Sequence, residues 1–456
     1  MEIPASSSSS SSSVHIYDRW LLCTIASLFC FFILIFFLNY NQHGLNLSTD
    51  ISIGVLTTTT TSIDNGWYMV PNSSTDTTAT ITSNGEHVSP NTTATKTTSK
   101  DNATDTFTIN NNVQKKCDIF DGRWIYNPKG RPLFEASQCP FLGPQVTCKK
   151  NGRPDFEYEK WRWEAKDCEI PRFNGTDMLE RLRGKRLIIV GDSLNRNQFE
   201  SLSCLLYSSI PSNSAYVNVQ SDSYKVFRAK DYNCTVEFYW SPFLMELEDT
   251  NRVRGRLLKL DILSASAERW RGADIMVFNT GHWWVHTGKY QAWDYFQHKG
   301  KLITNIDVAT AFQTAMEEWA AWIDRNVDPA KSSVFFRSTS PDHKGQQWCY
   351  NQTQPTEDEF DIPNFMRHIV ETVERTITEM KTPVGYLNIT KLSQYRKDAH
   401  PSVYTAKGQG KLLTEEQKKQ PLLFADCSHW CIPGVPDTWN SLLYASLVLD
   451  TSRRVL

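Results

Sequence analysis

Lys185-Arg-Leu-Ile-Ile-Val-Gly-Asp-Ser-Leu-Asn-Arg-Asn-Gln-Phe-Glu200 is the stretch on which the reading of the chain turns. Residues 186–190 form a short apolar, β-branched run, the pattern of a strand buried in a parallel sheet. Gly191-Asp192 signals a turn, and residues 194–210 then read as a helix with Phe199, Leu202, Leu205, Leu206 and Ile210 on one side. Ser193 therefore stands where a strand turns sharply into a helix. A hydroxyl there is presented at the carboxyl edge of the sheet, and the unpaired N–H groups of the helix point at any oxyanion that forms beside it. The spelling is Gly-Asp-Ser and not G-x-S-x-G, because Asn195 holds the place of the second glycine. Ser193 is a candidate nucleophile, although the tripeptide alone suits a helix-capping serine equally well.

A chain of 456 residues is long enough for a large core and for two or three domains. Its formal net charge is −2 and its Lys and Arg are dispersed, which leaves no footprint for nucleic acid. Fifteen Trp, 17 Tyr and 23 Phe exceed what an ordinary core needs, and exposed rings of this kind make flat stacking faces for sugars. No internal repeat is present.

Residues 1–19 are a polar head with a serine run and a basic residue, Arg19, at its end. Residues 20–40 carry no charge and are bracketed by Trp20 and Tyr40, a length and flanking that suit a bilayer span. Leu38-Asn-Tyr-Asn-Gln-His43 offers no small-residue cleavage site, so the segment reads as an uncleaved signal-anchor. Arg19 precedes it and no Lys or Arg follows until Lys96, which places residues 1–19 in the cytosol and the bulk in a lumen, a type II topology. Residues 41–116 are dominated by Thr, Ser and Asn and cannot bury enough surface to fold, so a disordered stem is expected. N-x-Ser/Thr sequons fall there at Asn46, Asn72, Asn91 and Asn102, and beyond it at Asn174, Asn233, Asn351 and Asn388. Cys23 and Cys30 lie within the span. The other nine cysteines follow the stem, and in an oxidising lumen they would pair and leave one over.

Residues 117–456 are expected to form the lumenal domain. Residues 117–180 are rich in Cys, Trp, Pro and Gly without periodicity and read as a stapled, loop-rich layer. Further buried strands are expected at 274–279, 334–336 and 384–389. Helices are expected through Val308, Phe312, Met316, Trp319 and Ile323, through Met366, Ile369, Val370, Val373 and Ile377, and at 439–449. Strands alternating with helices imply a parallel sheet covered on both faces, with ligands at the strand ends. Near the C-terminus, Asp426-Cys-Ser-His429 places a carboxylate and an imidazole three residues apart. One turn then lets Asp426 orient His429 and leaves its other nitrogen free to take a serine proton. Alone, such a spacing is more often the mark of a surface turn. Cys427-Ser-His429-Trp-Cys431 also invites a zinc reading, but no C-x-x-C or H-E-x-x-H supplies the remaining ligands. No metal or bound cofactor is expected.

Taken together, Gly191-Asp-Ser-Leu-Asn-Arg-Asn-Gln198, Asn279-Thr-Gly-His-Trp-Trp284 and Asp426-Cys-Ser-His-Trp-Cys-Ile-Pro-Gly434 resemble the plant trichome birefringence-like proteins, over Cys117 to the C-terminus. The resemblance implies an SGNH/GDSL-like α/β fold, a three-layer α/β/α arrangement around a mainly parallel sheet with a disulfide-stapled minor lobe. It implies a Golgi polysaccharide O-acetyltransferase acting on a cell-wall glycan such as xylan or pectin, with acetyl-CoA or a derived acetyl carrier as co-substrate. Ser193 would be nucleophile, His429 general base then acid, and Asp426 the residue orienting His429. The oxyanion site would use the Ser193 N–H with Asn279, and more weakly Gly281 or Arg196. The implied disulfides are Cys117–Cys168, Cys139–Cys204, Cys148–Cys431 and Cys349–Cys427, with Cys234 free. An acetyl esterase with the same residues and a non-catalytic wall-glycan binding protein are the rival readings.

Overall fold

The computed structural model describes residues 117–221, 223–249, 255–345, 348–357 and 362–454. The segment at 20–40, the stem and four of the sequons lie outside these residues. Among the described residues no helix is long and apolar enough to cross a membrane.

The described chain begins with an antiparallel pair, β1 (Gly122–Tyr126) and β2 (Trp161–Ala165), joined by a loop-rich excursion. A short helix α1 (Gly175–Arg181) then leads into β3 (Arg186–Gly191) and α2 (Ser193–Tyr207). Strands β4 (Ala215–Ser221), β5 (Tyr224–Ala229) and β6 (Cys234–Trp240) form a meander, and β7 (Met245–Glu248) and β8 (Leu257–Leu263) follow. After β9 (Ile275–Phe278) come β10 (Tyr295–His298), β11 (Lys301–Ile303) and α3 (Val308–Asn326). The chain continues with β12 (Ser333–Arg337), α4 (Asn364–Glu379) and β13 (Val384–Leu387), and α5 (Val435–Arg454) is its last helix.

The main sheet has seven strands in the order β13-β12-β9-β3-β6-β5-β4. The first five are parallel, and β5 and β4 add antiparallel at one edge. Side-chain alternation along β3 shows why both faces are covered. Leu187 and Ile189 enter one core with Met178 and Leu179 of α1, Phe199 and Leu202 of α2, and Trp439 and Leu442 of α5. Ile188 and Val190 enter the other, with Phe312, Met316 and Trp319 of α3 and Ile369 and Val373 of α4. The result is the expected α/β/α arrangement. The periodicity expected for α3 and α4 is the face they bury.

Several boundaries differ from the expectation. Helix α2 ends at Tyr207 and not at 210, β13 ends at Leu387, and α5 begins at Val435, with Pro436 in its first turn where a missing N–H costs nothing. A second sheet, β11-β10-β8-β7, was not expected at all. It shares a core with α3 through Leu258 and Leu260.

Four disulfides join Cys117–Cys168, Cys139–Cys204, Cys148–Cys431 and Cys349–Cys427, the pairs the resemblance implied. Cys234 is free and buried. Of the sequons within the described residues, Asn174, Asn233 and Asn351 are exposed and Asn388 is half-buried.

Candidate active site

The carboxyl edge of β3 fixes the serine. A side chain at Gly191 would place its Cβ 2.7 Å from the Asn279 carbonyl oxygen, so only glycine lets β3 and β9 close up there. The helix cap is Asp192, whose carboxylate accepts from the Leu194 N–H at 2.9 Å. Ser193 is the first helical residue, and its hydroxyl is free of capping work. That answers the ambiguity of the bare tripeptide.

Ser193 Oγ lies 2.8 Å from His429 Nε2, and His429 Nδ1 lies 2.8 Å from Asp426 Oδ2. A carboxylate only accepts, so Nδ1 carries the proton and Nε2 presents its lone pair to the serine hydroxyl. The other oxygen of Asp426 accepts the backbone N–H groups of Ser428 and His429 at 3.1 and 3.0 Å. Burial pushes the Asp426 carboxyl up, but the imidazole and these N–H groups outweigh it and hold it well below the usual carboxylate range.

The loop that carries Asp426 and His429 is tied along its whole length. Asp426 exchanges two backbone hydrogen bonds with Ser402. Cys427 and Cys431 are both in disulfides, so neither offers a thiolate to a metal. The Trp430 N–H donates to Asn197 of α2 and its indole to Ser340. The Cys431 N–H donates to the Ala399 carbonyl and the Ile432 N–H to Val146. His400 Nδ1 stands 2.6 Å from the His429 carbonyl oxygen.

Below the serine is a buried polar knot. Asn195, at the place of the missing second glycine, donates to the Val190 carbonyl and accepts from Arg337 Nε at 2.6 and 2.9 Å. Arg337 is fully buried over the face of Trp439, 4.7 Å from the ring centroid. Burial lowers its guanidinium to about 10, against the pull of Asp192. Burial in turn raises Asp192.

The other expected residues are placed less directly. Asn279 is buried at the end of β9, where its amide donates to the Arg337 carbonyl at 3.1 Å. Gly281 opens the turn at His282–Val285 with φ of 137°. Arg196 turns to Gln145, 2.9 Å away in the disulfide-stapled segment. None of these three side chains or turns has a hydrogen bond to Ser193 among the described contacts. Of the tryptophan pairs Trp161/Trp163 and Trp283/Trp284, Trp163 and Trp284 are buried and their indoles donate to Ile119 and Thr280. Trp161 and Trp283 are half-buried, and Trp283 packs edge-on against Trp240 at 5.5 Å. Sequence reasoning missed Asp192 as the cap and the buried His343 and His400, because nothing in their spacing ties them to the loop they support.

Residues 170–446 match the family described as a GDSL/SGNH-like acyl-esterase family found in Pmr5 and Cas1p, and residues 115–169 match the PMR5 N terminal domain. The chain is 44% identical over 350 residues to protein trichome birefringence-like 1 of Arabidopsis thaliana, covering 74% of this chain and 62% of that one. It is 42% identical over 354 residues to protein trichome birefringence of the same plant, covering 74% of this chain and 57% of that one. Probable xylan O-acetyltransferase 10 of Oryza sativa subsp. japonica is 43% identical over 345 residues, covering 73% of this chain and 78% of that one. The chain thus spans about six-tenths of the length of the two Arabidopsis relatives.

Proposed function

Because the chain belongs to the trichome birefringence-like family, we propose that it is a polysaccharide O-acetyltransferase that carries the acetyl group on Ser193. The observation that carries this reading is the line Ser193 Oγ, His429 Nε2, His429 Nδ1, Asp426 Oδ2, with 2.8 Å at each contact. In the first half-reaction Nε2 takes the Ser193 proton while Oγ attacks the carbonyl carbon of an activated acetyl donor, a thioester or a derived carrier. The donor's leaving group departs with that proton, and an acetyl ester of Ser193 remains. In the second, an acceptor hydroxyl gives its proton to Nε2 and attacks the ester, and Ser193 Oγ leaves and takes the proton back. In this reading the Ser193 N–H, at the start of α2, donates to both oxyanions. Asn279 lies at the adjacent strand end.

The acceptor is a hydroxyl of a plant cell-wall polysaccharide, xylan or another hemicellulose, or pectin. The naming of relatives as xylan O-acetyltransferases supports this. The chain is read as a Golgi type II membrane protein, anchored through residues 20–40 with its catalytic domain in the lumen. Four disulfides and exposed sequons support that placement. The family's description as acyl-esterases favours one second reading, hydrolysis of acetylated glycans by the same residues. An acceptor panel of xylan, other hemicelluloses and pectin, with products read by mass spectrometry and NMR, separates the two. Acetylated glycan supports the transferase, and acetate alone across the panel supports the esterase. Protease protection of the glycosylated domain in sealed microsomes tests the topology, and cleavage of that domain would refute it.

A further inference from the structure

His343 and His400 lie outside the line from Ser193 to Asp426, 0% and 1% exposed. Nδ1 of His343 is 2.6 Å from Nε2 of His400. Each outer nitrogen faces a backbone carbonyl: His343 Nε2 is 2.9 Å from the Gln394 oxygen, and His400 Nδ1 is 2.6 Å from the His429 oxygen. A carbonyl oxygen only accepts, so both outer nitrogens carry hydrogen. A neutral imidazole has a single N–H. Two neutral rings would therefore turn bare lone pairs at each other across a hydrogen-bond distance. One added proton removes the conflict.

We infer that the four ring nitrogens of His343 and His400 hold three protons, the third shared between the rings. The resulting monocation pins the main-chain carbonyl of His429 from behind, which makes both histidines positioning residues for the base.

The 2.6 Å contact between the rings calls for the third proton, while burial opposes it and excludes a fourth. The Asp426 carboxylate favours a proton on His400. The face of Trp430 stacks on the His400 ring at 4.0 Å and 27°, an arrangement that favours a cation. Burial pushes each ring towards neutrality, His343 to about 4, and Lys397 and Arg153 add to that push. Each ring's charge would also oppose the other's, so a fourth proton stays off and the pair titrates as a unit. The main chain at both histidines is tied. The His343 N–H donates to the Cys427 carbonyl, its own carbonyl accepts from Cys349, and Arg153 donates to the His400 carbonyl.

Loss of the proton restores the lone-pair conflict and slackens the hold on His429, so turnover should fall on the alkaline side. The proton count is independent of the reading of Ser193 as an acyl carrier; only the effect on turnover rests on it.

The test is NMR of the full chain labelled with ¹⁵N in its histidines. One strongly deshielded ring proton is expected near pH 7, with a coupling between two ring nitrogens across the bond. It should vanish in both His343→Gln and His400→Gln and persist in Ser193→Ala. The across-bond coupling identifies the pair in the wild type even where a variant fails to fold. Two rings that each keep one bare nitrogen from pH 5 to 8 would overturn the proton count. Hydrolysis of an aryl acetate is the functional arm. His343→Gln should lower kcat roughly ten- to hundredfold with little change in KM, and should lose the wild type's alkaline decline. An unchanged pH profile would overturn the positioning role even with the shared proton present.

Discussion

The hydroxyl of Ser193 stands 2.8 Å from Nε2 of His429 across 236 residues of chain. Two different devices hold the pair. Ser193 is set by a strand that must be glycine at its last residue and by a helix capped by its neighbour Asp192. His429 sits on a loop with disulfides at Cys427 and Cys431 on either side. The serine is thus fixed by the sheet, and the imidazole by cross-links and hydrogen bonds.

Removal of either partner should end transfer. Ser193→Ala and His429→Ala are each expected to lower kcat at least about 10³-fold. Asp426→Asn should cost a comparable factor by presenting the wrong tautomer, while circular dichroism reports a folded protein. Retained turnover in Ser193→Ala would assign the chemistry to another group.

The disulfides should not be equivalent. Replacing Cys349 and Cys427 together by serine opens a cross-link spanning 78 residues and frees one side of the base loop. Stability should fall by about 2–5 kcal/mol, and kcat should fall with it. Replacing Cys117 and Cys168 removes a bond between the start of the described chain and the residues after β2. That change should lower the melting temperature and leave kcat of the surviving folded protein near wild type. Equal effects on kcat would refute a special role for the loop clamp.

Asp437 should make the protein sensitive to pH in the opposite sense to an ordinary ion-paired carboxylate. Burial raises its carboxyl to about 6, although Ser201 and the Gly434 N–H both donate to it. The unfolded chain ionises it near pH 4, so stability is lost as pH rises from about 4 through 6 and stays lost above. Asp437→Asn should therefore stabilise by on the order of 2 kcal/mol at pH 8, with the gain shrinking to nothing near pH 4. Denaturant midpoints across that range check it, and a loss of stability at pH 8 would contradict it.

Trp283 is half-buried beside Trp240 and His286. If it serves the glycan, Trp283→Ala should lower kcat/KM for a polymeric acceptor by about fivefold, the worth of one aromatic contact. Hydrolysis of a small acetyl ester should change little. Equal losses on both substrates would mark Trp283 as packing alone.

The strand-turn-helix at Ser193 was legible because a continuous apolar run can be buried on both faces only within a covered parallel sheet. Helices α3 and α4 were legible from their periodic apolar faces. Strand β6, on which the antiparallel edge is built, was not, because it carries Glu237 in mid-strand. That carboxylate is tolerated only because Arg186, Thr235 and Tyr239 all reach it. Strand β8 was hidden in the same way by Lys259, which pairs across the sheet with Glu246 and Glu248 of β7. At the site, Asp426 and His429 are close in sequence and could be read together. The knot of Asp192, Asn195 and Arg337 and the pair His343 and His400 draw on distant segments, so only folding brings them together. The disulfides came from the resemblance and not from the cysteine count, which leaves many pairings open.

The central claim is that Ser193 carries the acetyl group between donor and glycan, and a trap-and-chase experiment tests it most directly. The protein is incubated with an activated aryl acetate alone, quenched in acid and mapped by peptide mass spectrometry. A parallel sample receives xylan oligosaccharide before the quench. One acetyl group on the peptide containing Ser193, absent from Ser193→Ala and passed to an oligosaccharide hydroxyl in the chase, is the predicted result. Acetylated oligosaccharide formed without any acetyl-Ser193, or an adduct that releases only acetate with every acceptor tried, would contradict it.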